Sequence, residues 1–202
     1  YENGESFFIP TFNKIKKHTS WLHVDVMDGK FVKNKSNWFD FKLPKTHKQE
    51  IHLMVDNPMQ WVKKNYAKCD IIIANIERLS NINSFTKFLD DKKIKKGIAL
   101  NPETPLKSVT PYLENLDRIL ILCVNPGKYG APFIFQTVKK IERLRHIFKG
   151  EIEVDGNQNP TTIPKTVKAG ANIIAVGSFI QNSSNPKTAI KEFLKKNRRF
   201  KI

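Results

Sequence analysis

One feature constrains this chain more than any other: short apolar runs of strand length recur along it, separated by amphipathic stretches of helical length. SFFI, WLHVDV, EIHLMV, DIIIANI, KGIAL, RILILCV, EIEVDG and NIIAVG read as strands. Between several of them, PMQWVKKNYAK, NSFTKFLDDKK, APFIFQTVKKIERLRHIF and PTTIPKTVKAG read as helices. Pro58 and Pro160 stand where helices begin, a position that tolerates the missing N–H, and Gly170 stands where one stops. Eight strands alternating with helices over 202 residues predict a (β/α)8 TIM barrel near its lower size limit, a compact single domain over residues 1–202. A doubly wound open sheet is the rival, but its glycine-rich fingerprint after the first strand is missing. The first β/α unit is atypical, since only the ten residues TFNKIKKHTS separate SFFIP from WLHVD.

Composition narrows the class. With 40% hydrophobic residues the chain can bury a sizeable core. Cys69 and Cys123 lie far apart in apolar segments and read as reduced core residues rather than a disulfide framework. No run approaches the roughly 20 apolar residues of a membrane helix, and no secretory signal opens the sequence, so a cytoplasmic protein is expected. A formal charge of +16 raises the question of nucleic acid. Yet the lysines are spread over nearly every helical segment, without a zinc-finger or RNA-recognition signature. They read as a solvated surface that attracts small anions. The expected partners are a small anionic substrate and further copies of the chain, with no membrane and with nucleic acid only a weak option.

The apolar pattern is broken on one face. Side chains alternate along a strand, so His23, Asp25 and Met27 share a face in WLHVDVM, as His52 and Met54 do in EIHLM. Glu151, Glu153 and Asp155 share one in EIEVD, with Asp155 at its end. Active sites of such barrels lie at the C-terminal ends of the strands. Two histidines and two aspartates converging there make a candidate site for one divalent metal ion, with zinc, iron, manganese and cobalt all suited to imidazole and carboxylate. The plainer alternative is two satisfied core histidines and an aspartate capping a turn. The loops DGN, NPGKYG and VGS each follow a strand and carry glycine; in this fold the loops after strands seven and eight commonly hold a phosphate.

The motifs HVDVMDGKFVKN, IHLMVDNP, GIALNPETPL, VNPGKYGAPF and IEVDGNQNPTTIPKTVKAGANIIAVGS together resemble the ribulose-phosphate 3-epimerase family over roughly residues 20–195. The resemblance implies a (β/α)8 barrel, a bound divalent metal, and reversible epimerisation at carbon 3 of a ketose phosphate, either ribulose 5-phosphate or a related pentulose or hexulose phosphate. It places His23, Asp25, His52 and Asp155 on the family's metal ligands, and Asp25 and Asp155 on its acid–base pair. It places Met27 and Met54 beside the reacting carbons, and Gly130, Gly156, Asn157, Gly177 and Ser178 on the phosphate loops. Asp28 and Gly29 belong to the first motif and read as shaping its loop.

Departures from the family pattern cluster at the substrate's periphery. Tyr129 and Ala131 replace a glycine and a glutamine of the usual NPGFGGQ, with Lys128 beside them. Asn157 makes DGN of the usual DGG, and Asn75 stands where typical members have histidine. The first-strand serine motif is not recognisable in SFFIPTF. This pattern implies an epimerase with altered substrate preference. The alternative from another class is a non-catalytic sugar-phosphate-binding or assembly module on the same fold.

Overall fold

The structure, a computed structural model, describes residues 10, 12–36, 45–127 and 129–196. Seven strands form one sheet in chain order, every neighbouring pair parallel: β1 (Trp21–Met27), β2 (Lys48–Met54), β3 (Ile71–Asn75), β4 (Lys95–Leu100), β5 (Arg118–Leu122), β6 (Glu151–Asp155) and β7 (Ile173–Ile174). This sequential parallel order belongs to a barrel and not to a doubly wound sheet, whose order reverses at a switch point. The predicted strand SFFI lies outside the described residues. A short helical segment at residues 12–15 follows it, closed by Lys16 N–H donating to Phe12 O at 2.8 Å, which fits the tight first unit.

Helices α1 (Pro58–Asn65), α2 (Ile82–Asp91), α3 (Gln136–Ile147), α4 (Ile163–Lys168), α5 (Ser178–Gln181) and α6 (Pro186–Lys196) fill the crossovers, with 3-10 turns between. Local chemistry sets their ends. Asn57 and Asn81 accept hydrogen bonds from the backbone N–H of Gln60 and Ser84, capping α1 and α2, and Pro58 takes the first position of α1. Two expected helix starts are corrected. The apolar residues from Ala131 to Phe135 precede α3 rather than forming its first turn. Likewise Pro160 sits in the turn before α4, whose first turn holds Pro164 instead. Gly170 does stop α4: it follows the cap residue Ala169 with φ at 114°, a backbone region that side-chain-bearing residues avoid.

Residues alternating along each strand sort into two apolar layers. One faces the helices: Ile51, Leu53, Ile72, Ile98, Ile119, Ile121, Ile152 and Val154 pack with Trp61, Phe85, Leu89, Ile141 and Leu144. The other lies inside the curled sheet, where Ile71, Ile73, Ala99, Leu120 and Leu122 pack together with Trp21 against them. Fully burying such a side chain is worth about 1.5–3 kcal/mol. The interior layer is mainly apolar around β3, β4 and β5, with Asn75 and Arg118 as its polar members. From β6 back to β1 and β2 the same inward register carries charge, and there the site is built.

Cys69 and Cys123 are buried and unbridged, and burial pushes both thiols up to about 12. Among the described residues, no helix is long and apolar enough to cross a membrane.

Candidate metal centre

The parallel register of β1 and β2 sets His23 beside Glu50, Asp25 beside His52, and Met27 beside Met54. Each pair points the same way, into the barrel. From β6, Asp155 completes the group: one ligand atom from each of His23, Asp25, His52 and Asp155 lies within 4.8 Å of the other three. The four predicted ligands, spread over 133 positions of sequence, thus converge on one point. Met27 and Met54 stand one strand-step further along, buried, packed with Val32 and flanked by Phe31.

Both imidazoles are held by neighbours that choose which nitrogen faces the site. His52 is fully buried; its Nε2–H donates to Asn75 Oδ1 at 2.9 Å, which leaves Nδ1 directed at Asp25 Oδ1, 3.0 Å away. Asn75 is oriented in turn, its amide donating to Glu77 at 3.2 Å and to Asn101 Oδ1 at 3.1 Å. On the other side, His23 Nδ1 meets Glu50 Oε1 at 2.5 Å and Glu153 Oε1 at 3.2 Å, and its Nε2 points at Asp25 Oδ1 from 3.3 Å.

These contacts give each group its charge. Burial opposes protonation of His23, but hydrogen bonds to Asp25 and Glu153, together with their charges, hold it well above the ordinary imidazole value. Asp25 is opposed by burial too, yet the adjoining imidazoles of His23 and His52 keep its carboxyl far below the usual range. Its side chain is 31% exposed by area, but that area faces the barrel cavity rather than open solvent. Asp155 goes the other way: burial, then the charge of Asp25, push it up to about 6 against the pull of both histidines. Neighbouring carboxyls are driven apart in acidity.

A divalent metal fits this donor set. With His52 Nε2–H committed to Asn75, Nδ1 presents a lone pair to a carboxylate oxygen at 3.0 Å, and two acceptors that close need a proton or a cation between them. His23 Nε2 is buried as well and faces the same point, 3.3 Å from Asp25 Oδ1. Two imidazoles and two carboxylates are a set that borderline transition metals accept. The plainer alternative, two core histidines and an aspartate capping a turn, does not explain why all four ligand atoms face one point.

The loops around the centre are tied to one another. Asp28 accepts hydrogen bonds from the N–H groups of Lys30 (2.9 Å), Phe31 (3.2 Å) and Asp56 (2.8 Å), joining the loop after β1 to the loop after β2. Asn34 donates to Gly127 O at 2.5 Å, joining the first loop to the one after β5. Gly29 follows with φ at 79°, and a Cβ there would lie 2.6 Å from Lys35 Cε. Loop shaping is what Asp28 and Gly29 do.

A cavity of about 920 Å³ opens above the centre and reaches Gly130, Gly156, Asn157, Gly177 and Ser178, the predicted phosphate loops. Their glycines differ in kind. A Cβ on Gly156 would come 2.5 Å from Val124 Cγ2, so packing demands that glycine whatever binds nearby. A Cβ on Gly177 or Gly130 would meet nothing within 4 Å; those two leave open space at the cavity wall. Asn157 takes φ 49° and turns its amide away, donating to Ala131 O at 3.1 Å and accepting from Asn159 at 2.9 Å, so that it struts one loop against the next. Asparagine is among the few residues that tolerate this backbone region. Tyr129 is half-exposed, its hydroxyl donating toward Gln181 Oε1 (3.2 Å) and Asn182 Oδ1 (3.1 Å) across the cavity mouth. Lys128 lies outside the described residues.

Reading the sequence by motif did not assign roles to Glu50, Glu153 or Arg118, and saw Asn75 only as a departure. A signal was available: by period two, Glu50 shares the inward face of His52, Glu153 that of Asp155, and Arg118 opens the inward register of an otherwise apolar strand.

Comparison with known proteins agrees with this geometry. The sequence profile of the ribulose-phosphate 3 epimerase family matches residues 9–181. Ribulose-phosphate 3-epimerase of Bacillus subtilis is 33% identical over 183 residues, 85% of this chain and 84% of the relative. The Synechocystis enzyme of the same name is 37% identical over 84% of this chain and 79% of its own length. The chloroplastic ribulose-5-phosphate-3-epimerase of Arabidopsis thaliana is 38% identical over 85% and 65%. Among solved structures, 3-hexulose-6-phosphate synthase superposes with a TM-score of 0.65 at 13% identity, covering 93% of this chain and 91% of that one. A tryptophan synthase alpha-subunit from Pyrococcus furiosus gives 0.65 at 15%, covering 95% and 90%. Identities that low bear on the fold alone, and the fold they share is the TIM barrel.

Proposed function

The chain belongs to the ribulose-phosphate 3-epimerase family of isomerases, and from that premise we propose that it epimerises carbon 3 of a ketose phosphate, ribulose 5-phosphate or a close pentulose or hexulose relative. The observation that carries the reading is the convergence of His23, Asp25, His52 and Asp155 within 4.8 Å at the strand ends. His23 through Nε2, His52 through Nδ1, and the carboxylates of Asp25 and Asp155 would hold one divalent ion. When bound, the ion supplies Lewis-acid stabilisation of the negative charge that develops on the substrate's oxygens.

Inversion at carbon 3 needs a proton taken from one face and returned to the other. Asp25 reaches the site from β1 and Asp155 from β6, so that a planar intermediate between them meets one carboxyl on each face. In the reversible reaction either carboxyl serves as base and the other as acid, according to which epimer is bound, and Asp155, whose carboxyl is raised by burial and by Asp25, is the stronger base of the two. Met27 and Met54 form an apolar wall that excludes water without competing for the proton. The phosphate would lie against Gly156, Asn157, Gly177 and Ser178, where Gly177 leaves the wall open.

A panel of ketose phosphates incubated with metal-loaded protein in deuterated water tests the reading. Deuterium should enter carbon 3 of at least one substrate, with its epimer appearing alongside. No exchange in any of them would leave only a binding role.

A further inference from the structure

Beneath the metal centre lies a second group of charges. His23, Glu50 and Glu153 also bring ligand atoms within 4.8 Å of one another, and both glutamates are buried, at 3% and 1% exposure. This group has no need of a metal, because a cation is already present. Arg118, 4% exposed, reaches in from the start of β5 and pairs through Nη1 with Glu50 Oε2 and with Glu153 Oε2, the latter at 3.1 Å. The other edge of its guanidinium forks onto Glu151, with Nη2 at 2.8 Å and Nε at 3.2 Å from Oε2. The ring of Trp21 stands 5.7 Å from its Cζ. Beside it on β4 stands Gly97, where a Cβ would come 2.8 Å from Ile73 Cγ1 and 3.5 Å from Arg118 Cβ.

Each glutamate therefore divides its carboxylate, one oxygen on Arg118 and the other on Nδ1 of His23. We propose that Arg118 is a positioning residue for the metal site: it draws Glu50 and Glu153 together against Nδ1 of His23, which fixes the ring so that Nε2 faces Asp25, His52 and Asp155. Two carboxylates converging on one imidazole repel each other, and a planar guanidinium with donors on both edges is the side chain able to hold the pair in one geometry. A carboxylate on the far nitrogen of a ligating histidine sets both its orientation and its basicity, and losing such a partner typically costs 10–100-fold in metal affinity. The inference rests on the metal-dependent reading above.

Cobalt(II) titration of the full metal-free chain tests it, with a competing chelator for affinity and visible absorption for ligand geometry. Arg118→Met should bind Co²⁺ about 10–100-fold more weakly. Arg118→Lys should fall between it and the parent, since an ammonium keeps the charge and loses the fork. The near-isosteric Glu50→Gln should weaken binding about tenfold, and both it and Arg118→Lys should show an altered absorption band, because His23 is no longer held. Glu151→Gln, which touches only the outer edge of Arg118, should stay within threefold of the parent with its band intact. A merely structural role would lower the melting temperature while leaving the spectrum of the folded protein unchanged. Should Arg118→Met fail to fold, Arg118→Lys and Glu50→Gln decide the matter. Parent-like affinity and spectrum in both would overturn the proposal while leaving the metal site intact. A parent chain that binds no Co²⁺ would overturn the metal-dependent reading itself, and this inference with it.

Discussion

Replacing Asn75 by leucine, close in volume and without polar atoms, removes the one group that turns His52. Three partners are affected, of which His52 and Asn101 are buried. The Nε2–H of His52 loses its acceptor, Asn101 Oδ1 loses a donor, and Glu77 loses one donor but keeps Asn101 N–H at 3.0 Å and the hydroxyl of Thr104. Glu77 is thus the cheap loss. The other two groups are buried, and an unsatisfied buried polar group costs about 1–3 kcal/mol, so Asn75→Leu should destabilise the metal-free chain by about 2–6 kcal/mol. Urea unfolding reads this as a lower midpoint at unchanged slope. Metal affinity should fall as well, because the freed ring can turn Nε2 toward Asp25 or exchange one tautomer for the other. Losing the partner that orients a ligating histidine costs about 10–100-fold, or about 1.4–2.7 kcal/mol. Asn75→Asp keeps an acceptor for His52 but sets a carboxylate against Glu77 and Asn101 Oδ1, so it should keep more of the metal affinity than of the stability. If Asn75→Leu unfolds within about 0.5 kcal/mol of the parent and binds metal equally well, Asn75 does not orient His52.

Other expectations concern the proposed acid–base pair and the loops. Asp25→Asn and Asp155→Asn should each lower kcat by about 10²–10⁴-fold, the usual worth of a positioned acid or base, and parent-like turnover in both would remove them from the chemistry. Asp28 is opposed by burial, but its hydrogen bonds from the backbone of Asp56, Lys30 and Phe31 hold its carboxyl below the ordinary 3.8. A depressed folded value contributes stability that is full above 3.8 and is lost as the pH falls through the folded one. Asp28→Asn should therefore cost about 1 kcal/mol at pH 7, discounted for its exposure, and the difference from the parent should shrink under acid; a gap that persists there would contradict the ionic role. Tyr129→Gly should cut the hydroxyl's links to Gln181 and Asn182 and change the ratio of catalytic efficiencies between pentulose and hexulose phosphates. Equal scaling on all substrates would make Tyr129 packing for the cavity mouth and nothing more.

Periodicity alone determined the alternation of strands and helices, and with it the parallel barrel. A run such as IIIAN, apolar on both faces, is viable only as a strand covered on both sides, and helices between such runs force parallel crossovers. Period two also placed His23 with Asp25 and Met27, and His52 with Met54, because alternation is a property of the strand itself. Helix starts were less legible. The apolar stretch from Ala131 carries no break that marks Gln136 as the first helical residue, and near α4 the nearby prolines 160 and 164 compete for the same signal. What no local pattern carries is register. That Asp25 stands beside His52, and that Arg118 crosses the interior to Glu50, depends on how each strand slides against the next and on how far the curled sheet brings β5 toward β2. The same holds for direction at φ-positive turns. The sequence shows an asparagine where a glycine is usual, but only the packed loops turn Asn157 toward Ala131. The charges were therefore visible from the outset, and which charge answers which was decided by tertiary structure, because electrostatic and hydrogen-bond energies depend on distances that the chain order does not contain.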